Sequence, residues 1–263
     1  MPEDFYRSHW QHIEDDRLAR YERMFVWRPE QNALLERLQL SPGQQVLDFG
    51  CGPGFVTLEI ARRVGVTGHA WGVDLNETFL QRARDRAAAE GIAAQVTYLQ
   101  ADGAAPLPDA SVDRVLCKNV LEYVPDFRAT LAAHLRLLRP GGMIHVADSD
   151  WGFLVVEPWT PAEINEMFAA AAGAFREPLI GRRLPGALTE LGYVDVRVAI
   201  DAGADRDGRM RPVLENMAGY ARSLGGMTLE RATGLLARID AALAAGTYLC
   251  VLPQFAITAR KPG

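Results

Sequence analysis

The stretch "QVLDFGCGPGFVTLEIARRV", residues 45–64, constrains this chain more than any other part of it. An apolar run ends in an acid at Asp48, glycines follow at 50, 52 and 54, and a helical pattern begins at Phe55. That order predicts a strand, a tight loop and a helix, with glycine supplying backbone that other residues adopt at a cost.

The unit recurs. "GHAWGVDLN" reads as a second strand ending at Asp74, and "ETFLQRARDRAAAEG" as a helix closed by Gly91. "AQVTYLQAD" is a third strand ending at Asp102, and "SVDRVLCKNVLEYV" a fourth running into a loop. "DFRATLAAHLRLLRPGG" is a helix stopped at Pro140 and Gly141, and "MIHVADSDWG" a fifth strand. Strands alternating with helices over residues 45–150 predict a parallel sheet wrapped by helices. Ligands in such sheets sit beyond the carboxyl ends of the strands. Asp48, Asp74, Asp102, Asn119 and Asp148 all fall at or just before such ends. Residues 1–40 read as helices with a loop, Pro29 opening a helical turn. Beyond 150 come two helical segments, a sixth strand "YVDVRVAID", two further helices, and a final strand "YLCVLPQFAITARK".

The loop's charge narrows its ligand. A dinucleotide fingerprint places its third glycine one residue later than Gly54, and a pyrophosphate would be repelled by Asp48. No Gly-Lys-Ser/Thr follows, so this is no phosphate-binding P-loop. An acid before the glycines suits a ligand offering ammonium and hydroxyl groups. The net charge of −5 gives no cationic footprint for nucleic acid. No apolar run approaches a membrane span, and the polar, aromatic start "MPEDFYRSHWQH" is not a signal peptide. Cys51, Cys117 and Cys250 are an odd number at spacings of no metal site, so free thiols and a cytoplasmic location are expected. No metal is expected.

"VLDFGCGPG", "GVDLN", "LQADGAAPLPDASVDRVLCKNVLEYVPD" and "LLRPGGMIHVADSDW", in this order, resemble the class I S-adenosylmethionine-dependent methyltransferases, nearest to their small-molecule branch. The resemblance implies an α/β fold. Its doubly wound, seven-stranded Rossmann-like sheet has helices on both faces, an N-terminal helical cap over residues 1–40 and a helical insertion between the last two strands. The methyltransferase domain would cover 41–263, with 151–186 and 202–247 covering the acceptor or pairing subunits. S-adenosyl-L-methionine would be the cofactor and S-adenosyl-L-homocysteine the product.

The resemblance also implies roles. Asp48, Gly50 and Gly52 would line the methionine part, Asp74 the ribose hydroxyls, Leu75 the adenine ring, and Asp102 and Gly103 the adenine edge. Asn119 and Val120 would bring backbone to the sulfonium side. Tyr21, Trp27 or Arg28 would reach the methionine carboxylate from the cap, with Arg28 counted among the cofactor residues. Glu122, Tyr123 and Asp148 are the candidates for catalysis. Asp150, Trp151, His9 and His12 are weaker ones.

The partner expected is a small methyl acceptor, largely apolar because "SDWGFLVVEPW" is rich in apolar and aromatic residues. Neither nucleic acid nor a membrane is expected as partner, and the chain would be a monomer or homodimer. The Asn/Asp-Pro-Pro-Tyr/Phe motif of base methylation is replaced by "KNVLEY". An alternative keeps the cofactor as a fixed positive charge for pericyclic or elimination chemistry.

Overall fold

The computed structural model describes residues 5–13 and 15–263. Met1 to Asp4 and Glu14, part of the expected N-terminal cap, lie outside the described residues.

Three helices come first: α1 (Phe5–Gln11), α2 (Asp15–Phe25) and α3 (Asn32–Glu36). The Rossmann-like half follows as β1 (Gln45–Phe49), α4 (Phe55–Val64), β2 (His69–Asp74), α5 (Glu77–Ala89), β3 (Val96–Gln100), β4 (Val112–Lys118), α6 (Phe127–Leu137) and β5 (Leu138–Ser149). The remainder is β6 (Val155–Glu157), α7 (Pro161–Ala171), α8 (Ile180–Glu190), β7 (Val194–Asp201), α9 (Arg211–Ser223), α10 (Leu229–Ala245), β8 (Leu249–Val251) and β9 (Gln254–Arg260).

The main sheet has seven strands in the order β3-β2-β1-β4-β5-β9-β7. β1 to β5 run parallel, and β9 is antiparallel to both β5 and β7. Alternation along each strand sends side chains to two cores. Leu47, Phe49, Val115, Cys117, Ile144 and Val146 pack under α6 and α8, whereas Val46, Leu116 and Ala147 pack under α3, α4 and α5. The crossover between β1 and β4 in the strand order is the topological switch point, where open sheets of this type leave a crevice.

Local chemistry explains the helix starts. The Asn76 side chain accepts from Phe79 N to open α5, and the Asp126 carboxylate accepts from Arg128 N and Ala129 N to open α6. Thr160 and Glu163 close a capping box on α7.

Two expectations need correction. The third strand stops at Gln100, so Asp102 sits in the following loop rather than in the strand. The final strand is two: β8 pairs with β6 in a separate ribbon, and β9 joins the main sheet. Pro253, which has no N–H to give a ladder, stands between them.

Residues beyond β5 build a core of their own. Trp151, Trp159, Met167, Phe175, Leu214, Met217, Tyr220, Leu235 and Tyr248 are buried together under α7, α9 and α10. This lid covers the carboxyl end of the sheet. A smaller cluster of Leu18, Tyr21 and Phe79 fastens α2 to α5.

Candidate active site

A cavity of about 330 Å³ lies between the sheet end, the lid and the N-terminal helices. That falls within the range of small-molecule sites, about 300–1,000 Å³.

Its floor is the glycine loop. Gly50, Gly52 and Gly54 have φ of 76°, 52° and 80°. A Cβ on Gly50 would lie 2.0 Å from Val120 Cγ2, so the Val120 side chain packs directly on the Gly50 backbone. Gly52 has open space instead, its nearest neighbour being Phe25 Cδ2 at 3.9 Å. The Gly52 N–H donates to Asp74 Oδ2 at 2.8 Å, and Asn76 N donates to Asp74 Oδ1 at 2.9 Å. The acid at the end of β2 thus fixes the glycine loop while still lining the cavity. Asp48 is buried, with the Thr57 hydroxyl donating to it at 2.6 Å. Burial raises its pKa to about 6, against the hydrogen bond from Thr57. Burial likewise raises Asp74.

Asp48, Gly50, Gly52, Asp74, Leu75, Asp102, Gly103, Asn119, Val120, Glu122 and Tyr123 all line this one cavity. Asn119 holds φ +52°, which turns the chain sharply after β4, and its Oδ1 accepts from Gln254 at 3.1 Å.

Arg28, Trp27 and Asp148 are placed elsewhere. Arg28 is exposed beside the short turn Pro29–Gln31 and does not line the cavity, because the turn of the chain after α2 carries it outward. Trp27 packs with the α4 side of the sheet under the Arg63 guanidinium. Asp148 is fully buried on the opposite face of β5 from Ser149, since neighbouring strand residues alternate. Its Oδ2 accepts from Val120 N at 3.3 Å and Leu121 N at 3.0 Å. It therefore shapes the loop that bears Glu122 rather than facing the cavity. Burial lifts its pKa to about 7, with the Leu121 and Val120 amides opposing.

Glu122 is buried at the cavity wall, and Trp151 Nε1 donates to its Oε2 at 2.6 Å. Its backbone carbonyl also accepts from Arg176 N and Glu177 N, which pins the lid to the β4 loop. Burial and the neighbouring Asp148 push its carboxyl well above the usual range. Tyr123 stacks on Phe175 with ring centres 5.5 Å apart. Trp151 lines the cavity, while Asp150 is held in a bidentate pair by Arg182, both bonds 2.7 Å. His12 and His9 line an outer groove between the N-terminal helices and α9 rather than the cavity. Among the described residues no cluster of His, Cys, Asp or Glu could hold a metal, and no helix is long and apolar enough to cross a membrane.

The sequence reading missed Lys118. It ends β4 on the same face as Asp48 and lines the cavity. Burial pulls its ammonium below the ordinary lysine range, against Asp148, Asp48 and Glu122. One signal was available: it is one of two lysines in the chain, at a strand end. Tyr21, one of the cap candidates, lines the cavity, but the apolar wall it joins, of Trp10, Phe25, Phe175, Met217 and Tyr220, was missed because it brings together residues far apart in sequence.

A switch-point cavity under a seven-stranded sheet with an antiparallel β9, floored by glycines and ringed by strand-end acids, defines a nucleoside-cofactor enzyme of the methyltransferase class. A methyltransferase-domain family model matches residues 46–142. The chain belongs to the class I S-adenosylmethionine-dependent methyltransferase family.

The Streptomyces halstedii methyltransferase GfsG is 38% identical over 44% of this chain and 41% of its own. Nocamycin O-methyltransferase of Saccharothrix syringae is 31% identical over 65% of this chain and 66% of its own. The chain spans less than half the length of the first curated relatives it matches. Among solved structures, the [4+2]-cyclase SpnF shares the fold at TM-score 0.56 and 22% identity, over 89% of this chain and 80% of its own.

Proposed function

We propose that this chain is an S-adenosylmethionine-dependent methyltransferase acting on a small, largely apolar organic acceptor. One observation carries the reading: three acids at or just past the carboxyl ends of β1, β2 and β3, Asp48, Asp74 and Asp102, meet the glycine floor in a cavity whose other wall is aromatic and apolar.

The residues fit that cofactor. The acids match ammonium and hydroxyl groups. Asp74 takes the ribose hydroxyls while keeping Gly52 in place. Leu75 covers the adenine, Asp102 and Gly103 meet its edge, and Asp48, Gly50, Gly52, Asn119 and Val120 border the methionine part.

When bound, the cofactor supplies an electrophilic methyl whose leaving group is a neutral thioether, so no acid is required of the protein. The chain's own task is alignment and water exclusion, worth several kcal/mol. The lid excludes water, and Tyr123 and Phe175 orient a flat acceptor. Glu122 is the proton acceptor where the acceptor arrives protonated, being a raised carboxyl at the cavity wall. Asp148 acts through the loop it holds.

Calorimetric titration with S-adenosylmethionine and S-adenosylhomocysteine tests this. Micromolar binding of both is expected; binding of neither defeats the reading. A second reading, with the cofactor as a fixed charge for pericyclic or elimination chemistry, is favoured by the similarity to a cyclase of this fold. Release of S-adenosylhomocysteine in step with acceptor turnover distinguishes the two.

A further inference from the structure

The charges around the cavity are lopsided. Asp48, Asp74, Asp102 and Glu122 line it with carboxyl groups, and Lys118 is the single basic side chain among its lining residues. Arginines near the wall are engaged elsewhere. Arg86 donates to the Pro53 carbonyl and lies over the Phe55 ring, its guanidinium carbon 3.8 Å from the ring centre. Arg182 is held by Asp150. Arg28, the cation expected from the cap, is exposed and outside the cavity.

Lys118 is not engaged. It makes no hydrogen bond and no ion pair with any described residue, and its ammonium is open to the cavity rather than sealed in the interior. Asp148, Asp48 and Glu122 favour its charged form from a distance. The sheet register sets it beside one of these acids. β1 and β4 are parallel neighbours, with Asp48 opposite Leu116 and Phe49 opposite Cys117. Lys118 therefore lies on the face of Leu116 and Asp48, one strand over and two residues further on. A strand spacing of about 4.8 Å and a rise of about 3.3 Å per residue put the two Cα atoms about 8 Å apart. An acid and a base on one face of adjoining strand ends form the two halves of a seat for a zwitterion. An α-amino acid presents its ammonium to the acid and its carboxylate to the base.

We propose that Lys118 receives the carboxylate of the cofactor's methionine end, beside the ammonium at Asp48, and so makes the cavity selective for a cofactor that carries this carboxylate. The inference rests on the function proposed above and moves the counter-charge from the cap to the end of β4. A carboxylate that leaves water for a wall of acids and aromatic rings costs much free energy unless a cation meets it, and no other lining side chain is a cation. The rival seat is the start of α4, which has no side-chain cap and whose Phe55 and Val56 line the cavity. That helix end offers partial charge only, and the Asp48 carboxylate already meets it through the Thr57 hydroxyl in the first turn.

The test is calorimetric titration of the full chain with S-adenosylmethionine and with decarboxylated S-adenosylmethionine. The second ligand keeps the adenine, ribose, sulfonium and ammonium and lacks only the carboxylate. Wild-type protein is expected to bind S-adenosylmethionine about tenfold or more the tighter, the scale of one charge-assisted contact. Lys118→Met removes the ammonium and keeps the length of the stem. It should lose most of that preference by weakening S-adenosylmethionine alone. Decarboxylated S-adenosylmethionine should bind it at least as tightly as it binds wild type, because a fixed positive charge no longer faces a dication. A merely structural role for Lys118 would weaken both ligands alike, and that result overturns the proposal. Lys118→Gln, neutral but polar, should behave in the same way and serves if Lys118→Met does not fold. Equal wild-type affinity for the two ligands overturns the proposal. So does a preference that survives both substitutions, which would give the carboxylate to the amides of α4. Refusal of both S-adenosylmethionine and S-adenosylhomocysteine by wild type brings down the cofactor reading itself. Binding of S-adenosylmethionine and its decarboxylated form with equal strength brings down this inference alone.

Discussion

The two walls of the cavity are held by different means. At the sheet end, what is held is backbone: Asp74 grips the Gly52 N–H, Asp148 grips the amides of Val120 and Leu121, and the Val120 side chain packs on the bare Gly50 backbone. In the lid, side chains do it: Trp151 on Glu122, Trp159 Nε1 on the Leu235 carbonyl, and a packed set of Met, Phe and Tyr. A wall fixed by backbone can hold one ligand and tolerates little change. A wall of interlocking apolar side chains can be refitted by substitution, provided volume is kept. On the proposed function, cofactor and acceptor recognition fall to different walls, and that separation can be attacked from either side.

The largest effect is expected at Gly50. Gly50→Ala sets a Cβ 2.0 Å from Val120 at a left-handed φ, and we expect a loss of about 3 kcal/mol or more in stability with loss of S-adenosylhomocysteine binding. Gly52→Ala is the control, with the same backbone penalty but open space. It should cost about 1 kcal/mol, seen in chemical denaturation.

Trp151→Ala should cost about 3 kcal/mol by emptying the lid core and leaving Glu122 without its donor. Cofactor affinity should nonetheless survive within a few-fold. If calorimetry shows cofactor binding abolished in a folded protein, the two walls are not separable.

Asp74→Ala should weaken S-adenosylhomocysteine binding by about 2 kcal/mol, the loss of charge-assisted bonds to ribose. Unchanged affinity would leave Asp74 with the loop-fixing role alone.

The smallest expected effect is a pH slope. Asp148 is an acid whose folded pKa is raised to about 7. The folded state then holds a proton that the unfolded chain has released, so this group's contribution to stability is full below about pH 4 and is lost as pH rises toward 7. Asp148→Asn, which keeps an oxygen for the Val120 and Leu121 amides, should flatten that decline. Denaturation midpoints at pH 4, 5.5 and 7 measure it, and an unaltered slope would mean that Glu122 holds the proton.

The sequence was legible where one residue type does one local job. The glycines, the strand-end acids and the 3.6-residue pattern of α4 mark the sheet-end wall because backbone geometry and alternation leave a short-range trace. Arg28 was misplaced because helical periodicity gives no direction to the chain once the helix has ended. Asp148 was misread for want of its face: an acid at a strand end can point to ligand or to its own neighbouring loop. β6 and β8 are three residues each, too short for a pattern, and their pairing spans some 95 positions. The Tyr220–His9 contact joins residues 211 apart, and nothing in either neighbourhood announces the other.

One earlier feature bears on how the lid is held. β8 belongs to the lid and β9 to the sheet, and only Leu252 and Pro253 join them. Two residues reach about 7 Å at most. Gln254, the first residue past this joint, ties Asn119 and Ser149 together at the cavity floor. The joint is a short leash with its anchor inside the cavity. The lid is therefore tied to the sheet at Pro253 by a link that ends among residues of the cavity lining.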